Sequence, residues 1–311
     1  MTRRDFLAAS AVAVPSLSFA EDKPAMIPAV DTHQHLWDLT KVKLAWLKEG
    51  SVLAHSFTPK EYAEATAGLN VVKAVYMEVD VVAADKQKEA DYVLELCKSG
   101  KTPTCAAVLG GFPGDDGFAA YVQQFKGSKY VKGIRQVIHV DDTPAGYCLD
   151  PKFVKGVQLL GDLGLSFDIC IRPGELADAG KLCDLCHGTR FILDHCGNAD
   201  LKHSPADREK WKKDMTALGM KKNLVGKVSG FIASAPGKGK WKPEDLAPVV
   251  NHMLDAFGPD RVMFGGDWPV VLTTASYKEW ITNLREIVKG RKEEEQKKLF
   301  HDNAVRFYGL A

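Results

Sequence analysis

The chain has 311 residues, 45% hydrophobic and 26% charged, a composition that excludes a disordered, collagen-like or coiled-coil protein. Its 41 Lys plus Arg stand against 40 Asp plus Glu, so no charge excess argues for nucleic acid or an anionic membrane as partner. Length alone leaves open one large α/β barrel or two ordinary domains.

The chain begins Thr2-Arg3-Arg4-Asp5-Phe6-Leu7, continues with an Ala/Val-rich run to Val14, and reaches Pro15 and then Ser18-Phe19-Ala20. This is the pattern of a twin-arginine export signal cut after Ala20. Residues 1–20 are thus expected to be removed, 21–28 to form a linker, and 29–311 to fold. The apolar run is too short for a bilayer, which takes about 20 residues. The expected protein is soluble and periplasmic, meets the export machinery, and inserts stably in no membrane.

From residue 29 onward, β-branched runs alternate with polar, helix-like stretches. The runs cover Ala29 to His35, Val71 to Asp80, Pro103 to Gly111, Val131 to Val140, Leu165 to Arg172, Arg190 to Gly197, Leu224 to Gly230 and Arg261 to Asp267. Helical patterns lie between them, such as Lys86 to Lys98 and Pro151 to Leu163. Eight such units predict a single (β/α)8 TIM barrel. A doubly wound open sheet is the alternative, weakened by the lack of a glycine-rich phosphate loop after the first strand.

A barrel of this kind does its chemistry where its strands end. The first run ends Asp31-Thr32-His33-Gln34-His35, and alternation puts His33 and His35 on one side, with Asp31 in phase one step deeper. The sixth ends Leu193-Asp194-His195, where the same rule points Asp194 away from His195. The eighth ends Phe264-Gly265-Gly266-Asp267-Trp268-Pro269. Three imidazoles and a carboxylate converging on one mouth form a set suited to metal-assisted or general-base hydrolysis.

These three segments, with Val131-Lys132-Gly133-Ile134-Arg135-Gln136 and Asn303-Ala304-Val305-Arg306-Phe307-Tyr308, resemble the amidohydrolase-related family. Within it they resemble the branch of sugar lactonases and pyrone-dicarboxylate hydrolases. The resemblance runs from about Pro28 to Ala311. It implies a hydrolase, like fucono- or rhamnonolactonases, that opens a sugar-acid lactone, a small-molecule substrate. His33, His35, His195 and Asp267 would form its reactive centre, holding one divalent ion, zinc, and Arg135 would contact substrate. Full metal sites of this superfamily usually carry a fifth-strand histidine, whereas this chain has Phe167-Asp168-Ile169-Cys170. No Lys ends the fourth strand to bridge two ions. A binuclear centre is therefore not expected, and a metal-free mechanism stays open. A metal-dependent decarboxylase on the same barrel and a non-catalytic carbohydrate-binding barrel are the competing readings.

Further residues carry two readings each. Arg135 is either a substrate clamp or a structural ion pair, and His139 ends the same run as a polar group at the mouth. Glu78 either meets substrate, supports a histidine, or forms a salt bridge. Trp37 and Trp268 offer a stacking wall or packed indoles. Lys227 and Ser229 alternate on the seventh run toward the mouth. Cys183-Asp184-Leu185-Cys186-His187 matches a c-type haem attachment motif and supports an electron-transfer alternative; two ordinary helix cysteines or a local disulfide is the simpler reading. Seven cysteines leave at least one unpaired within the chain.

Overall fold

A computed structural model describes residues 26–310; the expected export signal and most of the expected linker lie outside the described residues. Eight parallel strands form one sheet in chain order: β1 (Ala29–Gln34), β2 (Val71–Met77), β3 (Thr104–Gly110), β4 (Val131–Val137), β5 (Ser166–Cys170), β6 (Arg190–Leu193), β7 (Leu224–Val228) and β8 (Val262–Phe264). A parallel bridge between Gln34 and Trp268 closes the ring, helped by Asp267 N–H donating to the His33 carbonyl and His35 N–H donating to that of Trp268. A helix follows each strand: α1 (Pro59–Thr66), α2 (Lys86–Ser99), α3 (Phe118–Gln123), α4 (Pro151–Asp162), α5 (Leu176–Leu185), α6 (Pro205–Gly219), α7 (Pro243–Phe257) and α8 (Tyr277–Val288). This is the (β/α)8 barrel.

Local chemistry sets the helix starts. Thr58 and Glu61 make a capping box ahead of Pro59, Asp150 accepts from the Lys152 and Phe153 amides ahead of Pro151, and Ser276 pairs with Glu279. The lower barrel interior is apolar, built from Val30, Val75, Val108, Ile192 and Met263, and Tyr308 and Leu310 from the chain's end pack against it. A larger apolar layer lies between strands and helices. No described helix is long and apolar enough to cross a membrane.

Strand pairing stops short of the apolar runs read from sequence, always at the carboxyl end. Residues 78–80, 194–197 and 265–267 leave the ladder there and bend into the mouth. Among the described residues, four of the six non-glycine residues with left-handed backbone lie on these segments, Asp80, His195, Cys196 and Asp267, and a fifth, Asn198, directly follows the second. Such strain persists only where surrounding contacts enforce it.

Candidate active site

Asp31 joins the ends of β1 and β8. Its Oδ1 accepts from the backbone amides of His33 and Gly266 at 2.9 and 2.7 Å, and its Oδ2 from the Tyr62 and Tyr277 hydroxyls at 2.8 and 3.0 Å. Asp31 therefore faces the surrounding helices and not the side of His33. Strict alternation fails because the β1–β2 register shifts between Asp31 and Gln34. Gly266 is required here: a Cβ would stand 2.3 Å from the Tyr277 ring and 2.5 Å from Asp31 Oδ2.

His35 Nδ1 lies 3.0 Å from both the Met77 and Glu78 carbonyl oxygens, so Nδ1 carries the hydrogen and donates it there. Its Nε2 lone pair then faces Asp267 Oδ1 at 3.3 Å. His33 Nε2, accepting from Arg135 Nη1 at 3.2 Å, lies 3.7 Å from the same Oδ1. The three atoms converge on one point; a cation there would relieve the repulsion between Asp267 Oδ1 and the His35 Nε2 lone pair and would take the His33 Nε2 lone pair in place of the Arg135 hydrogen bond. His33, His35 and Asp267 thus fit a divalent ion, with ligand atoms within 4.8 Å of one another. Two imidazoles and a carboxylate are the protein ligands of several catalytic zinc sites, which keep one position open. His33, Asp194 and His195 make a second such grouping. Cys170, in place of a fifth-strand histidine, belongs to neither; its Sγ meets His139 Nδ1 at 3.2 Å.

On β6 the alternation rule fails again, and Asp194 corrects the sequence reading. Pairing ends at Leu193, and His195 and Cys196 turn left-handed with φ of 55° and 52°. Asp194 and His195 consequently both face inward. Asp194 Oδ1 lies 3.5 Å from His33 Nδ1, and His195 Nδ1 hydrogen-bonds with Ser229 Oγ at 3.0 Å. The His195 ring packs so closely on Gly230 that a Cβ there would lie 2.0 Å from Nδ1.

Beneath the mouth runs a chain of buried ion pairs. Glu78 holds Arg135 Nε at 2.7 Å, Arg135 Nη1 reaches Asp194 at 3.4 Å, and Lys227 Nζ sits 3.2 Å from Asp194 and 2.6 Å from Asp168. Burial works against the Asp194 anion, but Lys227 and the neighbouring imidazoles hold its pKa well below the ordinary value. Burial pushes Asp168 up to about 7 and drives His33 well below an ordinary histidine. Arg135 is thus committed mainly to protein partners, the structural ion-pair reading. Glu78 supports the site twice, through its carboxylate on Arg135 and its carbonyl on His35. Lys227 stops below the mouth; of the two β7-end residues only Ser229 touches a mouth histidine.

His35, Arg135, His139, His195 and Asp267 line a cavity of about 310 Å³ at the mouth. His33 lies just beneath it, fully buried. A larger hollow of about 440 Å³ between α6 and α7 contains none of them. Trp37 lines the cavity, but Trp268 does not: after the left-handed Asp267 its indole turns away, against Phe57 and Tyr62. Sequence reasoning missed Trp46, Asp80 and Cys170, which also line the cavity. The haem motif loses its geometry. Cys183 and Cys186 are buried in the apolar layer, whereas His187 is exposed, and all seven cysteines are free thiols.

The model of the amidohydrolase family matches residues 30–310. The L-fucono-1,5-lactonase of Burkholderia multivorans is 28% identical over 294 residues, 90% of this chain and 96% of that one. The L-rhamnono-gamma-lactonase of Scheffersomyces stipitis is 24% identical, covering 90% and 98%. The crystal structure of an amidohydrolase from Burkholderia multivorans with bound zinc superposes with a TM-score of 0.81 at 25% identity, covering 91% of this chain and all of that one. Since the family match runs from the strand bearing His33 through the Asp267 segment to the chain's last helix, the chain belongs to the amidohydrolase family and is a hydrolase.

Proposed function

We propose that this protein opens the lactone ring of a sugar acid. The observation that carries the reading is the meeting of His33, His35 and Asp267 at the floor of a mainly apolar cavity, in a chain similar along its length to two sugar lactonases. Asp267 takes a proton from a water molecule as the water oxygen adds to the ring carbonyl carbon. The oxyanion so formed faces the imidazole of His195, whose Nε2 donates when Ser229 donates to Nδ1, and the flank of Arg135; the His35 Nε2 lone pair is left to hold a cation. As the carbon–oxygen ring bond breaks, the proton held by Asp267 passes to the departing ring oxygen, and the product is an open hydroxy acid.

His33, His35 and Asp267 would hold one divalent ion, zinc, with His195 beside it. When bound, such an ion polarises a carbonyl and acidifies water. His139 and Trp37 border the substrate. A panel of neutral aldonolactones, assayed by acid release with and without chelator, tests the reading; turnover of none of them overturns it. We also infer export by the twin-arginine route, with maturation after Ala20 and a periplasmic location, from the Arg3-Arg4 segment. Mass spectrometry of the cell-fractionated protein should find Glu21 first, and an intact Met1 in the periplasm would contradict this.

A further inference from the structure

The β2 ladder stops at Met77, and the next three residues each do something different. Glu78 anchors Arg135 and accepts from the Asp80 amide at 2.7 Å. Val79 lends its carbonyl to Trp46 Nε1 at 2.8 Å, fixing an indole at the rim. Asp80, pinned between them, has a left-handed backbone with φ of 51° and lines the cavity.

The buried carboxylates at this end of the barrel are engaged. Asp31 has four donors, Glu78 has Arg135, Asp194 has Lys227 and Arg135, and Asp168 has Lys227. Asp267 faces the histidines. Among the described residues, the Asp80 carboxylate has neither hydrogen-bond nor ion-pair partner. Partial burial costs it solvation, and that burial raises its pKa, with Glu78 adding to the effect and Lys86 and Arg135 opposing it. A strained backbone that presents an unpartnered carboxylate to a cavity is arranged for a ligand's donors.

The surroundings restrict what those donors are. Trp37, Trp46, Val79, Val137 and Val270 give the cavity apolar walls suited to the C–H faces of a ring. Arg135 is spent on Glu78, His33 and Asp194, so it offers little to neutralise a substrate carboxylate lying beside Asp80. Hydroxyl groups satisfy Asp80, whereas a second anion meets repulsion in a partly desolvated space.

We propose that Asp80 determines specificity here: it accepts hydrogen bonds from hydroxyls of a neutral, polyhydroxylated lactone and excludes lactones that carry a carboxylate. The proposal rests on the lactonase reading. Asp80→Asn removes the charge, and Asp80→Gly removes the group; both residue types tolerate left-handed backbone, so the turn is kept. In both variants KM for a polyhydroxylated aldonolactone should rise about ten- to hundredfold, the range of a hydrogen bond to a charged group, with kcat much less affected. A simple lactone without ring hydroxyls should show unchanged KM. The ratio of kcat/KM for a carboxylated lactone to that for the neutral one should rise at least about tenfold. Wild-type turnover of neutral lactones with both ratios unchanged in the variants would overturn the Asp80 assignment alone. Failure of the wild type on every lactone, with or without added zinc, would overturn the lactonase reading and this proposal together.

Discussion

Arg135 donates from Nη1 to Nε2 of His33 across 3.2 Å, and this contact carries the polar state of the barrel interior to the reactive centre. It makes Nε2 an acceptor and leaves the His33 hydrogen on Nδ1, toward Asp194 Oδ1 at 3.5 Å. The imidazole is thus oriented on both sides by groups that are themselves fixed: Arg135 by Glu78, Asp194 by Lys227. Such support of a metal-ligating or acid–base histidine is as much a part of a site as the histidine itself.

Arg135→Met tests that linkage. The change takes from the buried Glu78 carboxylate its ion-pair partner, leaving it the Asp80 amide and the more distant charge of Lys86, and removes one of two cations from Asp194. Breaking a buried pair by deleting one partner typically costs about 3–5 kcal/mol, which urea unfolding would detect. Adding Glu78→Gln, which removes the orphaned charge, should recover a large part of that stability but not the activity, because His33 loses its Nε2 donor in both proteins. Full activity in the double variant would show that Arg135 only repairs Glu78.

Most of the barrel was legible in sequence, and the reasons are physical. Strands covered on both faces read as apolar runs, and caps such as Asp150-Pro151 announce helices, so all eight units could be placed. The mouth was harder. Alternation predicts side-chain direction only while a residue stays in the ladder, and Asp194 follows Leu193 out of it. The left-handed Asp267 likewise sends Trp268 into the packing against Phe57, while the wall Trp268 was expected to form falls to Trp46. That residue sits in the long segment between β1 and α1, where no periodicity marks it. Nothing in the sequence pairs Lys227 with Asp168 across 59 positions; only the strand order, which leaves β6 alone between β5 and β7, brings them within reach.

Gly230→Ala should cost activity more than stability. The new methyl meets the His195 ring and strains a backbone whose φ is 57°. Left-handed strain in a residue with a Cβ costs roughly 1–2 kcal/mol. The imidazole must also move, and misplacing a catalytic group by about 1 Å can cost about a hundredfold in rate. A variant whose unfolding free energy, from urea titration, falls by no more than about 2 kcal/mol while kcat/KM drops about a hundredfold matches the expectation. Wild-type kinetics would mean that the His195 position is irrelevant to turnover.

The pH response follows from the buried histidines. Burial lowers the pKa of His33 and of His195 below the ordinary 6.5, with Asp194 opposing at His33 and Asp267 at His195. Between those folded-state values and 6.5 the unfolded chain takes up protons that the folded chain refuses. The contribution of these two histidines is fully present above 6.5 and is lost as pH falls below it, whereas Asp168 and Glu89, both raised to about 7 by burial, contribute with the opposite sign over the same range. Since both imidazoles stay neutral in the folded protein, kcat/KM should show no inflection at 6.5, and its acid limb should lie lower. Urea midpoints between about pH 5 and 8, alongside the kinetic profile, check both points. With Asp168→Asn and Glu89→Gln in place to remove the opposing carboxyls, rising stability on acidification, or an inflection of kcat/KM at 6.5, would contradict the assignment.

Asp267 gives the sharpest separation of chemistry from folding. Its Oδ1 faces the lone pair of His35 Nε2 at 3.3 Å and lies 3.7 Å from His33 Nε2, an arrangement that stabilises nothing unless a cation or proton intervenes. Asp267→Asn has the same shape but turns one acceptor into a donor. The new amide can donate to His35 Nε2, so stability should hold or rise by about 1 kcal/mol, the net worth of one hydrogen bond. The amide cannot accept the proton of the attacking water, and general-base contributions run to about 10²–10⁴ in rate. It is also a poorer ligand for a cation, so zinc measured by elemental analysis should fall in the variant if the wild-type enzyme carries it. The expected protein is therefore as stable as its parent and at least about a hundredfold slower in kcat on a substrate the parent turns over. If Asp267→Asn kept more than about a tenth of the parental kcat, the proton would have to leave by another route, and Asp267 would be a positioning residue for His35 and not the base.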